Sequence, residues 1–303
     1  MAKSNSLSPR SGSAVLMRVV FIGPAVAMVA LLMVVPITYG LWMSFTNYNI
    51  SRPASNLRFV GFSNYADVVR DPYFLSTVQW TLIFSAAAVL LSVSIGLLLA
   101  LMLNGKMAKR SSDTFKIFFI LPMMIAPVVA ASIWYIIYAP IYGVFNAFLS
   151  TMNLPAVSWF GEVVPARLSI ILVEVWMSTP FCMLVLLAAL KGISQDMYEA
   201  ADIEGAGAFY TFFKITLPMI RNFISLVVSI RIMDSLRVFD TVYNLTKGGP
   251  DISTETMGTF IYRTAFKYFD IGHGSAGAFL LFLFIAAVTA LNMRLSRKDP
   301  DLV

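Results

Sequence analysis

The chain has 303 residues, 58% of them hydrophobic and only 13% charged, with a mean hydropathy of +0.78 and a formal net charge of +6. Soluble domains carry about a quarter charged residues, so a water-soluble fold of this length is excluded. The Lys and Arg residues cluster beside apolar runs, which is a membrane-orientation pattern and not a nucleic-acid one. A lone Cys182 rules out internal disulfides and a cysteine metal site.

A membrane-crossing helix needs about 20 largely apolar residues. Stretches at 18–45, 77–103, 114–138, 168–190, 217–238 and 272–294 qualify, which predicts an all-α integral membrane protein of six transmembrane helices. The first stretch follows Lys3, Arg10 and Arg18 as a signal peptide would. Its apolar part is too long for one and more spans follow, so it is read as an uncleaved anchor. Pro24 and Pro36 inside it allow kinks without refuting a span. Residues 18–294 then form one transmembrane domain, with polar tails at 1–17 and 295–303.

Charge sets the orientation. With the N-terminus in the cytoplasm, the cytoplasmic segments hold Lys3, Arg10, Arg18, Lys106, Lys109, Arg110, Lys116, Lys191, Lys214, Arg221, Arg294, Arg297 and Lys298. A smaller set falls outside: Arg52, Arg58, Arg70, Arg167, Arg237, Lys247, Arg263 and Lys267. That bias predicts both termini, and the polar segment after the fourth span, on the cytoplasmic side.

In the first outer connection, Ser63 ahead of Asn64–Val69 suits the N-cap of a short surface helix. Near the outer end of the third span, Trp134, Tyr135 and Tyr138 read as an aromatic belt. In the last outer connection, Lys247-Gly248-Gly249-Pro250 is a turn signal. Met257, Phe260, Ile261, Thr264, Ala265 and Tyr268 then recur at helical spacing, predicting an amphipathic helix at the membrane interface. At the head of the sixth span, His273 is expected to serve as a polar helix-end residue. Gly272, Gly274 and Gly277, with Ala276 and Ala278, make a small-residue surface for helix contact, either within the chain or with another subunit.

The polar segment 191–217 is the most informative part of the chain. Ser194 can cap a helix opening with Gln195-Asp196, whose acid suits the positive end of the dipole. Gly205-Ala206-Gly207 then interrupts it with a turn. A second short helix with Phe209, Phe212 and Phe213 on one side leads to Pro218 in the first turn of the fifth span. Ala200, Ala201 and Ala206 allow close approach of another surface. The aromatic side needs burial by a partner, and Glu199, Asp202 and Glu204 favour basic groups at the rim.

Glu174 in the fourth span and Arg231 and Asp234 in the fifth are ionisable groups in apolar runs, which face protein or a watery cavity. At about 1.5 Å per residue, Glu174 and Arg231 reach similar depth on helices running opposite ways. They are expected to pair across the two helices, unless Arg231 pairs with Asp234 three residues on. The arrangement reads either as a polar lock between helices or, with Trp176, Ser178 and Thr179, as a set of hydrogen-bonding groups on a solute path.

The residues of the polar segment resemble the cytoplasmic EAA loop of binding-protein-dependent ABC importers. The resemblance rests on Glu199-Ala200-Ala201, Gly205 six residues after Glu199, and Ile215, Leu217 and Pro218. Phe59-Val60-Gly61-Phe62-Ser63-Asn64-Tyr65 and Gly248-Gly249-Pro250 with Thr254-Glu255-Thr256 are similar to the outer loops of the sugar-importer branch. They match the first of its two permeases, the type of the larger maltose permease subunit. The resemblance runs from about Arg18 to Arg294. Glu204 departs from it, since the family has Asp before the Gly.

The resemblance implies a permease subunit in a bacterial cytoplasmic (inner) membrane, with no catalytic residue and no cofactor or metal of its own. It would work with a second permease, two copies of an ATPase carrying ATP and Mg, and a periplasmic or extracellular solute-binding protein, for a sugar or related polyol. Membrane lipid, and no nucleic acid, would surround it. By the resemblance, Glu199 pairs with a basic residue of the ATPase, Gly205 provides the turn, and Ala200 and Ala201 give close contact. The chain has no P-loop pattern.

Two other classes compete on the residues alone. A self-sufficient ion-coupled secondary transporter would use Glu174 and Asp234 as relays. A membrane redox enzyme or transferase would need a cofactor for which one His and one Cys leave little.

Overall fold

The computed structural model describes residues 11–53, 56–104 and 112–296. Lys3, Arg10, Lys106, Lys109, Arg110, Arg297 and Lys298 lie outside the described residues, as do the side chains of Arg18 and Lys116. In chain order the helices are α1 (Ser11–Ser44), α2 (Ser63–Arg70), α3 (Pro72–Asn104), α4 (Ser112–Met124) and α5 (Pro127–Ile137). There follow α6 (Val144–Thr151), α7 (Val163–Lys191), α8 (Gln195–Ile203) and α9 (Ala208–Thr211). The last are α10 (Leu217–Leu236), α11 (Asp240–Leu245), α12 (Met257–Tyr262) and α13 (Ile271–Ser296).

By length and composition, Val19–Ser44, Pro72–Asn104, Val163–Lys191, Ala208–Leu236 and Ile271–Arg294 can each cross a membrane. The third expected span is not one helix. Its halves, Ile117–Met124 and Pro127–Ile137, meet at 104°. The reason is local: Ala126 precedes Pro127 and takes the extended conformation (φ −60°, ψ 139°) that proline imposes on its neighbour.

Helices α3 and α7 form the centre. Gly96 lets them touch, because a Cβ there would lie 2.6 Å from Cys182 Cβ and 2.9 Å from the Met183 nitrogen. Around that contact Ala100, Cys182, Met183, Leu186, Leu190, Ile220 and Val227 are buried. A second cluster, nearer the opposite end, joins Trp80, Phe84, Ile170 and Val173 to Trp134 and Tyr138. Those last two were expected as a membrane belt. They are instead internal, at 9% and 1% exposure, with Phe145 and Trp159 packed on Tyr138. Only Tyr135 stays half exposed, stacked on Phe160. The helix break turns this face inward, where the rings fill the space under α6.

The loops at that end form a cap. Asn64, buried on α2, donates to the carbonyls of Ser44 (2.8 Å) and Thr46 (2.7 Å), satisfying the orphan end of α1. Ser63 is not the N-cap; Phe62 is, and Ser63 begins the helix and reaches Asp67 instead. The segment after Gly249-Pro250 is latched onto α3: Trp80 Nε1 donates to the Thr254 carbonyl (3.1 Å), and the Met257 nitrogen donates to Thr81 Oγ1 (3.0 Å). Thr256 and Thr259 close a capping box on α12. The expected interfacial helix is therefore internal, with Met257, Phe260, Thr264 and Ala265 buried against α3 and α13. Of the small residues of α13, Gly272, Gly274, Ala276 and Gly277 are buried within the chain, while Ala278 is exposed. A Cβ at Gly274 would lie 2.7 Å from Ala265 Cβ, and one at Gly272 would strike the Thr46 carbonyl.

Glu255 is buried beside Arg263, with Oε2 2.8 Å from Nη2. Burial pushes its carboxyl up to about 7, against the pull of Arg263 and with a further push from Asp71. A carboxyl raised above its unfolded value stabilises fully below the unfolded value, near 4.5, and loses that contribution as pH rises through about 7. Wild-type thermal stability should therefore fall relative to Glu255→Gln between pH 5 and pH 8, the two matching at the acid end. A constant difference across that range would refute it. At the α3–α7 contact, Gly96→Leu should lower the melting temperature through overpacking of about 1–3 kcal/mol. It should also expose Cys182 to maleimide in detergent, where wild type stays unlabelled.

Candidate functional site

The segment leaving α7 folds as an elbow. Gly192 ends α7, and Ser194 Oγ accepts from the Asp196 nitrogen at 3.4 Å to start α8, as its position predicts. The helix closes through two paired bonds, Gly205 N to the Asp202 carbonyl (3.1 Å) and Ala206 N to the Ala201 carbonyl (2.9 Å). This is the Schellman arrangement, and it needs a left-handed residue. Gly205 supplies it at φ +75° with no atom near its missing Cβ.

Beyond that turn the expected separate second helix does not form. Helix α9 passes through a π-helical turn, Phe212–Thr216, directly into α10, so backbone from Ala208 to Leu236 is one continuous rod. The widened turn precedes Pro218, which withdraws a donor and crowds the carbonyl four residues back. Tyr198 on α8 braces the rod, its hydroxyl 3.2 Å from that of buried Thr216. Sequence reasoning missed this brace, since neither residue type announces a contact 18 positions away.

The elbow presents apolar side chains outward. Ile203 is 87% exposed and Phe209 83%, with Phe213 more than half exposed. Phe212 lies edge-on to Phe213 and is half buried. Between Phe209, Phe212 and α3 residues Leu97, Leu98 and Leu101 runs an apolar cavity of about 480 Å³. Glu199, Asp202 and Glu204 are exposed on the elbow, with no ion pair among the described residues. Ala200 is exposed as expected, but Ala201 is buried at 5% against its own chain and offers no surface to a partner. Pro218 is half buried within the first turn of α10.

Further along the rod stands the buried pair. Arg231 Nη2 lies 2.5 Å from Glu174 Oε1 on α7, and Arg231 Nη1 lies 3.6 Å from Asp234 Oδ2. Asp234 Oδ1 in turn meets Arg237 Nη2 at 2.5 Å. Both pairings open from the sequence thus occur together, as a ladder from a core position to an exposed Arg237. The Ser178 and Thr179 hydroxyls are buried and donate to the carbonyls of Glu174 (2.6 Å) and Val175 (2.7 Å) in their own helix. Trp176 packs edge-on against Trp134. Trp176 and Thr179 also line an apolar cavity of about 360 Å³ with Phe118, Phe119 and Pro122. The ladder clasps α7 to α10. Among the described residues no group of three or more His, Cys, Asp or Glu could hold a metal ion. His273 is a helix-end residue, as expected: Asp270 Oδ1 accepts from its backbone nitrogen at 3.1 Å.

Residues 1–298 match the family described as binding-protein-dependent transport system inner membrane component. The chain is 36% identical over 270 residues to a probable ABC transporter permease protein, y4oQ, of Sinorhizobium fredii, covering 89% of this chain and 86% of the relative. It is 34% identical over 281 residues to the trehalose/maltose transport system permease protein MalF of Thermococcus litoralis, covering 92% of each. In fold it is similar to a bacterial ABC transporter involved in the import of the acidic polysaccharide alginate. That likeness has a TM-score of 0.83 at 24% identity, over 95% of this chain and 96% of the other.

Removing one partner of a buried ion pair costs about 3–5 kcal/mol, because the other charge is left uncompensated. Arg231→Met should therefore lower the melting temperature sharply, while Glu174→Leu with Arg231→Met recovers most of the loss. Equal destabilisation by the single and double variants would show that the pair does not clasp the helices.

Proposed function

Because the chain belongs to the family of binding-protein-dependent transport system inner membrane components, we propose that it forms half of the translocation path for a sugar or related polyol. It is a multi-pass inner-membrane permease subunit of an ABC importer. In our reading a second permease completes the path, two copies of an ABC ATPase bind ATP and Mg, and a solute-binding protein delivers the solute. The sugar class is carried over from relatives such as the trehalose/maltose permease. Both termini and the elbow lie in the cytoplasm, as the charge bias predicts.

One observation carries the mechanism: the exposed aromatic knuckle at Phe209 and Phe213 belongs to the same rod as Arg231. The ATPase grips the elbow through that knuckle and Ala200, with Glu199 and Asp202 meeting basic groups at the rim. Since Tyr198 and Thr216 brace α8 to the rod, displacement of the elbow is delivered to α10 and not absorbed in a loop. The ladder of Glu174, Arg231 and Asp234 then carries α7 along. Trp176 and Thr179, which line a cavity, and Ser178 complete the candidate solute path on that helix.

Gly205→Val tests the coupling, because a β-branched residue is strained at φ +75°. In the reconstituted complex, uptake of trehalose should fall by at least about tenfold, some 1.4 kcal/mol of coupling. Basal ATP hydrolysis should persist. Normal uptake by that variant, or uptake that follows a proton gradient with ATP held constant, would instead support an ion-coupled carrier.

A further inference from the structure

Away from the elbow and the ladder, a cavity of about 710 Å³ opens in the cap between α2, the start of α3, the α12 turn and the start of α13. Small-molecule pockets run from roughly 300 to 1,000 Å³, so it has room for a molecule of disaccharide size. Three carboxylates line it, and each uses one oxygen on the protein's own groups. Asp67 Oδ2 accepts from Ser63 (3.3 Å) and faces His273 Nε2 at 3.6 Å. Asp71 Oδ1 accepts from the Tyr73 nitrogen (2.8 Å), and Asp270 Oδ1 accepts from the His273 nitrogen (3.1 Å). Burial pushes the Asp270 carboxyl up, but the His273 hydrogen bonds more than offset it and hold it below its ordinary value. The second oxygen of each carboxylate has no described partner. A carboxylate oxygen only accepts, so a ligand rich in donors finds three acceptors around one chamber.

The same lining carries basic side chains. Arg70 has no ion pair among the described residues, and Arg263 sits over the rings of Phe260 and Tyr268 at 5.9 and 5.7 Å. Behind it, Glu255 is nine-tenths buried, and its Oε2 makes no hydrogen bond despite lying 2.8 Å from Arg263 Nη2. Arg263 Nε is likewise buried without a partner. A cationic ligand would meet Arg70 and Arg263, and an anionic one would meet the carboxylates. Hydroxyl groups suit both kinds of side chain, donating to carboxylates and accepting from guanidinium groups, while the Tyr73 and Tyr268 rings offer apolar faces to a sugar ring.

We propose that this cap cavity is a binding site for a neutral polyhydroxylated molecule of mono- to disaccharide size, separate from the residues of α7 and α10. The test uses the full-length protein in its assembled complex in lipid nanodiscs, without the binding protein, titrated with trehalose by calorimetry. Glucuronate and glucosamine serve as the anionic and cationic comparisons. Trehalose should bind in preference to both. Asp67→Ala and Arg70→Ala, at surface positions, should each weaken it by about tenfold or more, the scale of one lost charged hydrogen bond, at unchanged melting temperature. No heat with trehalose, a preference for either charged sugar, or affinity unaltered in both variants would overturn the proposal. In a parallel titration with the binding protein added, a loss in both variants confined to its capture would also overturn the proposal, since it would make the cavity a protein socket. ATP-driven uptake is scored separately, so failure here leaves the transport reading standing.

Discussion

The buried ion pair between Arg231 and Glu174 ties α7 to α10. Helix α7 runs into the elbow and α10 runs out of it, so the two helices and the elbow make one long hairpin. At about 1.5 Å per residue, the pair stands more than 20 Å from the bend. Apolar packing of Ile220 and Val227 against Met183, Leu186 and Leu190 joins the two helices nearer the elbow. The pair at Arg231 adds a second tie farther along the hairpin. Inside a membrane such a pair has no competing water, and each charge keeps the other from an unmet desolvation cost. In the function proposed above, the groups that lock the helices also offer hydrogen-bonding partners to the solute.

Polar satisfaction governs the other end as well. The cap is built from irregular backbone, which needs internal partners wherever water is excluded. Buried Asn64, Thr81, Thr254 and Thr256 supply or receive those bonds, each joining segments far apart in the chain. Asn146 does likewise under α6, holding the Pro140 and Val157 carbonyls and the Trp159 ring nitrogen. The cap is thus a firm lid over α3 and α13 and not a set of loose connections. By contrast, the most apolar stretch of the α1 span, Val19–Ser44, has no buried residue. That helix approaches the rest near its capped end, where Gly40 meets Phe279.

Local chemistry explains why some sequence readings hold and others change. Ser194 and Gly205 work where expected because a helix cap and a left-handed turn involve only neighbouring residues. Trp134 and Tyr138 read as a belt because aromatic rings suit both an interface and a core. Only the break at Pro127 decides which. Ala201 read as a contact surface because small side chains permit approach from either direction, and its own chain arrives first. The second elbow helix merged with the fifth span because a π-helical turn accommodated Pro218 without a stop.

Composition and periodicity alone determine that this is a helical membrane protein with a polar, bent segment carrying one aromatic side between its fourth and fifth spans. Those properties come from the length of apolar runs and from caps and turns, which are one-dimensional. Tertiary structure alone decides that Arg231 reaches Glu174 while keeping Asp234, that Tyr198 braces Thr216, and that three cap carboxylates share one chamber with Arg70 and Arg263. Those pairings depend on helix rotation and crossing, which side chains distant in sequence settle together, and no local pattern encodes them.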